Sequence, residues 1–444
     1  VTALNEWPVP LLGRFDEHFL AVPREALISS MQGHQKYFPV ATADGALLPL
    51  FIAVANIESR QAELVIAGNE RVIRPRFADA SFFYTTDLKT SLAARRDRLR
   101  AIVYQQQLGS LFDKTERTAR LAARLASLVG ADPSSAVRAA ELSKSDLVSA
   151  MVGEFGELQG TMGRYYARHD GESEAVAAAL FEQYLPRHAG DDLPATPVGI
   201  ALALADRLDT LAGIFSIGEE PTGSRDPFGL RRASIGVLRT LIERNLDLDL
   251  LDLLAEAAGL QPGCAQPGVT ARSVFGYLLG RLRSLGEEQG IAAEFFLAVA
   301  GLGVTSPLDF WRRMVAVHAF ARDPDAASLI ATDKRIANLL QQQGTVDGRV
   351  DPHRFVAATE QALWEAMSST SGEVRDHVAR RDYPAALRAL GNLRSPVERF
   401  FTEVLVMAED SGLRRNRVAL LAQLRELFSL IADLSQLAAR VATP

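Results

Sequence analysis

Apolar residues recur every three to four positions through most of this chain, the spacing that places them on one side of an α-helix. The pattern is strongest after about residue 100, where long stretches keep it without interruption. Such stretches predict amphipathic helices that pack their apolar faces against one another. The clearest predicted helices span residues 102–111, 119–128, 137–151, 176–184 and 198–214.

The first 60 residues have a mixed pattern that indicates a small α/β part. Short apolar runs are typical of buried strands, and one stretch of helical spacing lies among them. Asp44 and Gly45 form a hairpin signal, because glycine accepts the left-handed backbone of a tight turn. The pattern predicts a strand at 19–23 and a helix at 24–32. It also predicts a segment at 33–40 that leads into a strand, and a further strand at 50–55.

Residues 69–84 combine arginines with aromatic side chains. Phe77, Ala80 and Tyr84 stand at positions i, i+3 and i+7, which favours the core face of a helix. Stacking of these rings on bases of a single strand is the alternative. The arginines here, which are candidates for phosphate or partner contact, are Arg71, Arg74 and Arg76.

A turn that leads into a helix occupies residues 221–239. Asp226 is a good helix N-cap, and Pro227 suits the first helical position, where its missing N–H costs nothing. The helix carries three arginines close together, because residues seven positions apart share a face. A solvated cationic face is one interpretation, and a strip that binds phosphate is the other. The arginines are Arg231, Arg232 and Arg239.

The last part of the chain ends in a helix whose apolar stripe, from Leu421 to Leu434, is predicted to be core. Three arginines crowd the start of this helix with a spacing that suits phosphates, namely Arg414, Arg415 and Arg417. Arg335 and Asn338 are three positions apart and are residue types that read base edges. Capping or surface roles remain open for each of these residues.

Composition and charge narrow the classes of protein to which this chain can belong. Of the 444 residues, 48% are hydrophobic and only 7% aromatic, which favours packed helices in several domains. The single cysteine, Cys264, allows no internal disulfide or multi-cysteine zinc site and fits a reducing compartment. The net charge of −6 argues against a globally polyanion-binding protein, although residues 311–440 hold slightly more basic than acidic side chains. We expect no membrane-spanning segment and no signal peptide.

Several stretches resemble one protein family. Residues 206–215, Asp-Arg-Leu-Asp-Thr-Leu-Ala-Gly-Ile-Phe, and residues 221–232, Pro-Thr-Gly-Ser-Arg-Asp-Pro-Phe-Gly-Leu-Arg-Arg, are similar to the β subunit of bacterial heterotetrameric glycyl-tRNA synthetase. The chain begins without Met, and the resemblance implies that an N-terminal portion is missing. Residues 333–340 and 413–421 resemble the helical anticodon-binding domain that this family shares with arginyl-tRNA synthetases. Further similar stretches are 31–40, 69–84 and 153–167.

The resemblance implies a mainly α, multidomain architecture. Residues 1–95 are expected to form the end of an α/β N-terminal body domain, and residues 96–220 an HD-like helical domain. Residues 221–310 are expected to form a helical linker domain, and residues 311–444 a helical anticodon-binding bundle.

The HD-like domain raises the question of a metal site. The HD fold requires an early His, a His-Asp pair and a distant Asp, yet the sequence has no His between His34 and His169. Residues 144–146, Lys-Ser-Asp, stand where the pair is expected. Asp206 and Asp209 share a helical face, but two carboxylates make a weak metal site. We therefore expect no metal, no catalytic residue and no cofactor bound by this chain.

The resemblance implies the β subunit of glycine–tRNA ligase, a cytoplasmic protein that binds tRNA(Gly) and no membrane. The α subunit is its expected partner in an α2β2 heterotetramer and carries the site where the holoenzyme uses ATP with Mg. The sequence shows no His-x-Gly-His, Lys-Met-Ser-Lys-Ser, Gly-x-Gly-x-Gly-x-x-Arg or phosphate-loop motif. The candidate tRNA-binding residues are Arg231, Arg232, Arg239, Arg335, Asn338, Arg414, Arg415 and Arg417.

Two alternatives stay open. An HD-type metal-dependent phosphohydrolase is disfavoured by the missing His ligands. A non-catalytic helical scaffold is disfavoured, more weakly, by the paired arginines of the last domain.

Overall fold

A computed structural model of the chain describes residues 5–223, 225–323, 326–343 and 349–437. The described chain is mainly α-helical with a few short strands, which confirms the predicted fold class. It forms two compact units, Val1–Thr240 with Leu254–Thr270, and Leu241–Leu253 with Ala271–Pro444. The finer four-domain division stays a prediction.

The strands near the start form one antiparallel sheet in the order β1-β3-β2, with β1 at Val9–Arg14, β2 at Phe38–Ala41 and β3 at Leu47–Ala55. The strand expected at the end of 33–40, the strand at 50–55 and the hairpin at Asp44-Gly45 are confirmed, and Gly45 has a φ of +88°. The strand predicted at 19–23 is wrong. Phe19 and Val22 are buried while the residues between them are exposed, so burial follows helical spacing, and Glu17–Ala21 forms a 3-10 helix. The strand β1 was not predicted.

The helices predicted at 119–128, 176–184 and 198–214 are present in the first unit, although the first of them starts earlier than predicted, at Leu111. The helix predicted at 102–111 is wrong, because β4 (Val103–Gln105) and β5 (Gly109–Ser110) form a hairpin there with Gly109 at a φ of +89°. The helix predicted at 137–151 breaks after Leu142, where Lys144 adopts a left-handed backbone. The helices are α1 (Arg24–Ser29), α2 (Ala62–Asp87), α3 (Leu92–Arg95), α4 (Leu111–Val129), α5 (Pro133–Leu142), α6 (Ala150–Glu154), α7 (Thr161–His169), α8 (Glu174–Glu182) and α9 (Pro197–Ser216).

The core of this unit is built around α9, which packs against α4 and α8 and is buried along almost its whole length. Its N-terminus has Pro197 in the first turn and Thr196 as cap, whose hydroxyl accepts a hydrogen bond from the Gly199 amide at 3.0 Å. In α2, Phe77 and Ala80 are fully buried, which confirms the predicted core face. The apolar period of the sequence therefore identifies the packed faces correctly.

Three helices follow, α10 (Leu230–Glu243), α11 (Leu250–Gly259) and α12 (Pro267–Glu288). The Asp226 carboxylate caps α10 by accepting hydrogen bonds from the amides of Leu230 and Arg231 at 2.8 and 3.0 Å, but not from the predicted N-cap position, because the helix begins four residues later, at Leu230. Pro227 is not the first helical residue, however. A turn ending at Gly229, with a φ of +66°, separates the cap from the helix.

The remaining helices belong to the second unit. The apolar stripe of the closing helix is confirmed as core over Leu421, Leu424 and Phe428, which are all buried. The helix ends at Ser429 and not at Leu434 as predicted, and the buried Leu434 belongs to the 3-10 helix Leu434–Gln436. No helix in the described ranges is both long and apolar enough to cross a membrane. The helices are α13 (Ala293–Ala300), α14 (Pro307–Phe320), α15 (Ala326–Gln343), α16 (Ala358–Ala379), α17 (Tyr383–Gly391), α18 (Arg394–Glu403) and α19 (Ser411–Ser429).

Candidate functional site

Arg335 and Asn338 both lie exposed on α15, but in different surroundings. The Arg335 guanidinium carbon lies 4.2 Å from the ring centre of Phe401, so its plane is supported by an aromatic ring. Asn338 lines a surface cavity in which Arg335 takes no part. The structure thus gives different surroundings to two residues that the sequence places on one face, and their contacts with tRNA stay predictions.

The start of α19 is a cationic surface. Arg415 is exposed and Arg414 half-buried, and Asp410 caps the helix by accepting a hydrogen bond from the Leu413 amide at 2.7 Å. That amide, together with the charges of Arg354 and Arg415, lowers the pKa of Asp410. Arg354 was missed by the sequence analysis, because it lies 60 residues away along the chain and no local pattern links it to this helix.

Arg417 has a different environment from its neighbours. It is buried, its Nε and Nη2 donate to the carboxylate of Glu360 at 2.8 and 3.3 Å, and its Nη1 donates to the Leu405 carbonyl at 2.8 Å. Burial raises the pKa of Glu360, but Arg417 and the amides of residues 356 and 357 outweigh it and leave the pKa below its usual range. This geometry favours the bracing role that the sequence left open, since the donors of Arg417 already have partners.

The three arginines of α10 differ in their contacts. Arg231 donates to the Gly223 carbonyl, Arg239 donates to the Asp191 carbonyl at 3.3 Å, and Arg232 is exposed. Arg207 of α9, which the sequence analysis missed, lies against this face and is buried. Burial and the nearby charge of Arg232 lower the pKa of Arg207 to about 10, although Asp206 opposes them. Two cations therefore lie close together here.

Arg207 is held almost entirely by backbone carbonyls. Its Nη1 donates to Gln183 and Ala203 at 3.0 and 2.9 Å, and its Nη2 donates to Leu185 at 2.5 Å. The guanidinium therefore braces the segment after α8 and leaves Arg232 as the more accessible charge of the two.

Gly236 is expected to be intolerant of a side chain, because a Cβ there would lie 2.6 Å from the Nε of Arg207. Gly236→Ala should lower the free energy of unfolding by about 1–3 kcal/mol, the usual cost of overpacking. Gly68→Ala is the matched control, since Gly68 also lies inside a helix but has nothing within 4 Å of the added atom. The control should gain up to about 1 kcal/mol from the higher helix propensity of alanine. Urea unfolding measures both, and equal effects would contradict the close contact.

The carboxylates considered for metal binding are engaged by cations in the structure. Lys114 Nζ lies 2.9 Å from Asp209 and 3.3 Å from Asp206, and Lys144 Nζ lies 3.3 Å from Asp206. Burial raises the pKa of Asp206, but the two lysines outweigh it and hold the pKa well below its usual range. The sequence analysis missed both lysines as members of this cluster.

Asp146 and Asp209 have further partners. Asp146 accepts hydrogen bonds from the amides of Gly160 and Gly163 at 2.5 and 3.2 Å. Asp209 also accepts one from Arg117 Nε at 2.7 Å. Among the residues that the structure describes, no group of three or more His, Cys, Asp or Glu side chains is placed to hold a metal ion. The arrangement is a buried ion-pair network, and the expectation of a metal-free domain stays a prediction.

Two stretches of the chain match models of known protein families. Residues 1–301 match the family model described as glycyl-tRNA synthetase beta subunit, and residues 329–437 match the DALR anticodon binding domain.

Curated relatives agree with the first of these matches. Proteins named glycine–tRNA ligase beta subunit from Chromohalobacter salexigens and Pseudomonas fluorescens are 53% and 50% identical over 438 residues, 98% of this chain and 64% of each relative. The relative of the same name from Marinobacter nauticus is 52% identical over 439 residues, 98% of this chain and 63% of that protein. The chain therefore spans a little under two thirds of the length of these relatives. It belongs to the glycyl-tRNA synthetase beta subunit family.

Proposed function

We propose that the chain is the tRNA-binding β subunit of a glycine–tRNA ligase and recognises tRNA(Gly) for ATP-dependent glycylation. The observation that carries the proposal is the presence of both family matches on one chain, the beta subunit over residues 1–301 and an anticodon binding domain over residues 329–437. The relatives' shared name, glycine–tRNA ligase beta subunit, supports the activity that we propose for the whole assembly.

The proposal includes an α subunit as partner, in an α2β2 assembly in the cytoplasm. The aminoacylation chemistry is assigned to that α subunit, which would use ATP with Mg. This chain contributes no catalytic residue and no cofactor site to the proposed reaction. Its task is to hold the tRNA and to discriminate the anticodon.

The cations of the second unit support tRNA binding. Arg354 and Arg415 are exposed near the start of α19, and Arg335 presents a guanidinium supported by Phe401. Arginine suits phosphate because its donors form a rigid fork. Phosphate contacts position a nucleic acid without reading its sequence, and base contacts supply the discrimination.

Titration of the full chain with tRNA of matching and non-matching anticodon, at two salt concentrations, tests the proposal. The matching tRNA should bind more tightly at both concentrations, and both affinities should fall as salt rises because phosphate contacts release counterions. Arg415→Ala should weaken both tRNAs alike and reduce the slope of log affinity against log salt by roughly 0.7–0.9. A chain that binds no tRNA, or binds both equally, would contradict the proposal.

Arg388→Ala is the control for this titration. Arg388 is an exposed arginine of α17, outside the cationic surface at the start of α19. Its loss should leave the slope unchanged. An equal fall of the slope with both substitutions would indicate a diffuse attraction to the whole surface instead of a contact at α19.

A further inference from the structure

A surface cavity of about 430 Å³ in the first unit is lined by residues of β1, β3, α2 and the segment that follows α1. Its volume is within the range of small-molecule sites, roughly 300–1,000 Å³. The apolar part of its wall consists of Leu11, Ala53, Val54, Ala55 and Val65. The polar part consists of Asn5, Gln35, Lys36, Tyr37 and Asn69, so none of the described residues that line the cavity is acidic.

The backbone that carries Gln35, Lys36 and Tyr37 to this cavity is unusual in two ways. After α1 the chain forms a π-helical turn, Ser30–His34, and such turns are rare and occur frequently at functional sites. Lys36 then has a φ of +58°, in the left-handed region that residues with a Cβ seldom adopt. Residues held in this region cluster at active sites and ligand clamps. The three side chains are thus placed by a conformation that no regular helix or strand provides.

The hydrogen bonds of Tyr37 and Asn69 leave two acceptors in the wall of the cavity. Tyr37 is buried, and its hydroxyl donates to Asn69 Oδ1 at 2.6 Å. Asn69 Nδ2 donates to the Val65 carbonyl at 2.8 Å, which orients the amide. Since its hydrogen is engaged, the Tyr37 oxygen can only accept, and Asn69 Oδ1 keeps a second lone pair. The two oxygens together suit a ligand group that carries several N–H donors.

Gln35 and Lys36 complete the polar lining. The half-buried Gln35 amide forms no hydrogen bond with another residue in the described ranges, so its Oε1 is a third acceptor. The Lys36 ammonium group donates to the Gly33 carbonyl at 2.9 Å and keeps two further donors. Lys36 is exposed and forms no ion pair within the described part of the chain. The cavity therefore offers three neutral acceptors and one cation that has no carboxylate partner.

These features match the parts of an α-amino acid. A lysine suits its carboxylate, three acceptors suit the three N–H bonds of its ammonium group, and the apolar wall suits its side chain. We propose that the cavity binds a free α-amino acid with an apolar side chain. The carboxylate contacts Lys36. The ammonium group donates to Gln35, Tyr37 and Asn69.

This inference goes beyond the proposed function, because the aminoacylation chemistry of that function is assigned to the α subunit. Calorimetric titration of the full chain, without α subunit, with glycine and alanine tests it. Alanine should bind roughly fourfold more tightly than glycine, because it buries one more carbon against the apolar wall. Propionate and ethylamine each lack one charged group of alanine. Each should bind roughly 10- to 150-fold more weakly than alanine, the range for losing a hydrogen bond to a charged group.

Two substitutions locate the ligand. Lys36→Met removes the cation and Gln35→Leu removes the third acceptor, and each should weaken alanine binding by roughly 10- to 150-fold. The matched controls are Lys89→Met and Gln32→Leu, because Lys89 and Gln32 are exposed and do not line the cavity. Both controls should leave the affinity unchanged.

Urea unfolding of each variant checks its folding. If Lys36→Met lowers the midpoint, Lys36→Asn also removes the cation, and asparagine tolerates the left-handed backbone. It should fold and weaken alanine binding as much as expected for Lys36→Met.

The outcomes keep this inference apart from the proposed function. A chain that binds tRNA(Gly) but no amino acid at millimolar concentration overturns the inference alone. Alanine binding that is unchanged by Lys36→Met and Gln35→Leu places the ligand elsewhere and also overturns it. Propionate that binds as tightly as alanine would identify a site for carboxylates and overturn the amino acid as ligand. Amino acid binding that responds to both substitutions, in a chain that binds no tRNA, supports the site and contradicts the proposed function.

Discussion

Arg417→Ala is expected to lower the free energy of unfolding of the second unit by about 3–5 kcal/mol. The substitution leaves the fully buried carboxylate of Glu360 without the guanidinium that lies 2.8 Å away, and an unpaired buried charge costs about that much. It also leaves the Leu405 carbonyl without its donor. Urea unfolding followed by far-UV circular dichroism measures the change.

Two controls interpret that measurement. Arg415→Ala removes an exposed arginine two residues away and should change stability by no more than about 0.5 kcal/mol. The double substitution Arg417→Met with Glu360→Leu removes both charges together and should recover much of the loss. A stable Arg417→Ala variant that binds tRNA poorly would instead support the phosphate contact predicted from the sequence.

Asp209→Ala should destabilise the first unit by a similar amount, about 3–5 kcal/mol, because it leaves Lys114 and Arg117 as poorly compensated buried cations. Asp209 is completely buried and also accepts a hydrogen bond from Gln261 at 2.9 Å. Asp97→Ala is the matched control, because it breaks an aspartate–arginine pair whose side chains are 86% and 58% exposed. The control should cost at most about 1 kcal/mol. Similar losses for both would contradict the role of burial.

The effect of Asp209→Ala should also depend on pH in a defined direction. Burial raises the pKa of Asp209, but Lys114 and Arg117 outweigh it and leave the pKa below its ordinary value. A carboxylate with a lowered pKa stabilises the folded state above its unfolded pKa of about 4, and this stabilisation is lost as the pH falls. The deficit of the variant should therefore be largest near pH 7 and shrink below pH 4. Denaturation curves at a series of pH values test this.

The helical part of the fold could be predicted from sequence because burial of one face imposes a period of 3.6 residues. The buried stripe from Leu421 to Phe428 and the core position of Phe77 follow from that period alone. The strand predicted at Phe19 failed because a short apolar run does not distinguish a strand from a single buried turn. The missed strand β1 has the burial alternation of a half-exposed strand, yet Pro10 and Gly13 obscure it in the sequence.

The candidate site could be predicted only as residue types on helices. Arg414, Arg415 and Arg417 look alike in sequence, and only the position of Glu360, 57 residues earlier, distinguishes the buried one from its neighbours. Arg335 and Asn338 share a helix, but Phe401 and Gln436 come from other elements and give the two residues different surroundings. Local spacing holds no information about such distant partners, and for the same reason Lys114 and Lys144 were not connected with Asp206.

The contacts of α19 with the segment before α16 and with the first turn of α16 bear on the order in which the chain acquires its structure during synthesis. Asn416 exchanges two hydrogen bonds with the backbone of Asp351, at 2.7 and 3.0 Å, and Arg417 neutralises Glu360. A ribosome adds residues in sequence, so residues 351–360 emerge well before their partners on α19 exist. Until residue 417 has left the exit tunnel, Glu360 must remain hydrated and α16 cannot take its final packing. Nascent chains that end before α19 are therefore expected to expose this segment to proteases, and chains that extend past it are expected to protect it.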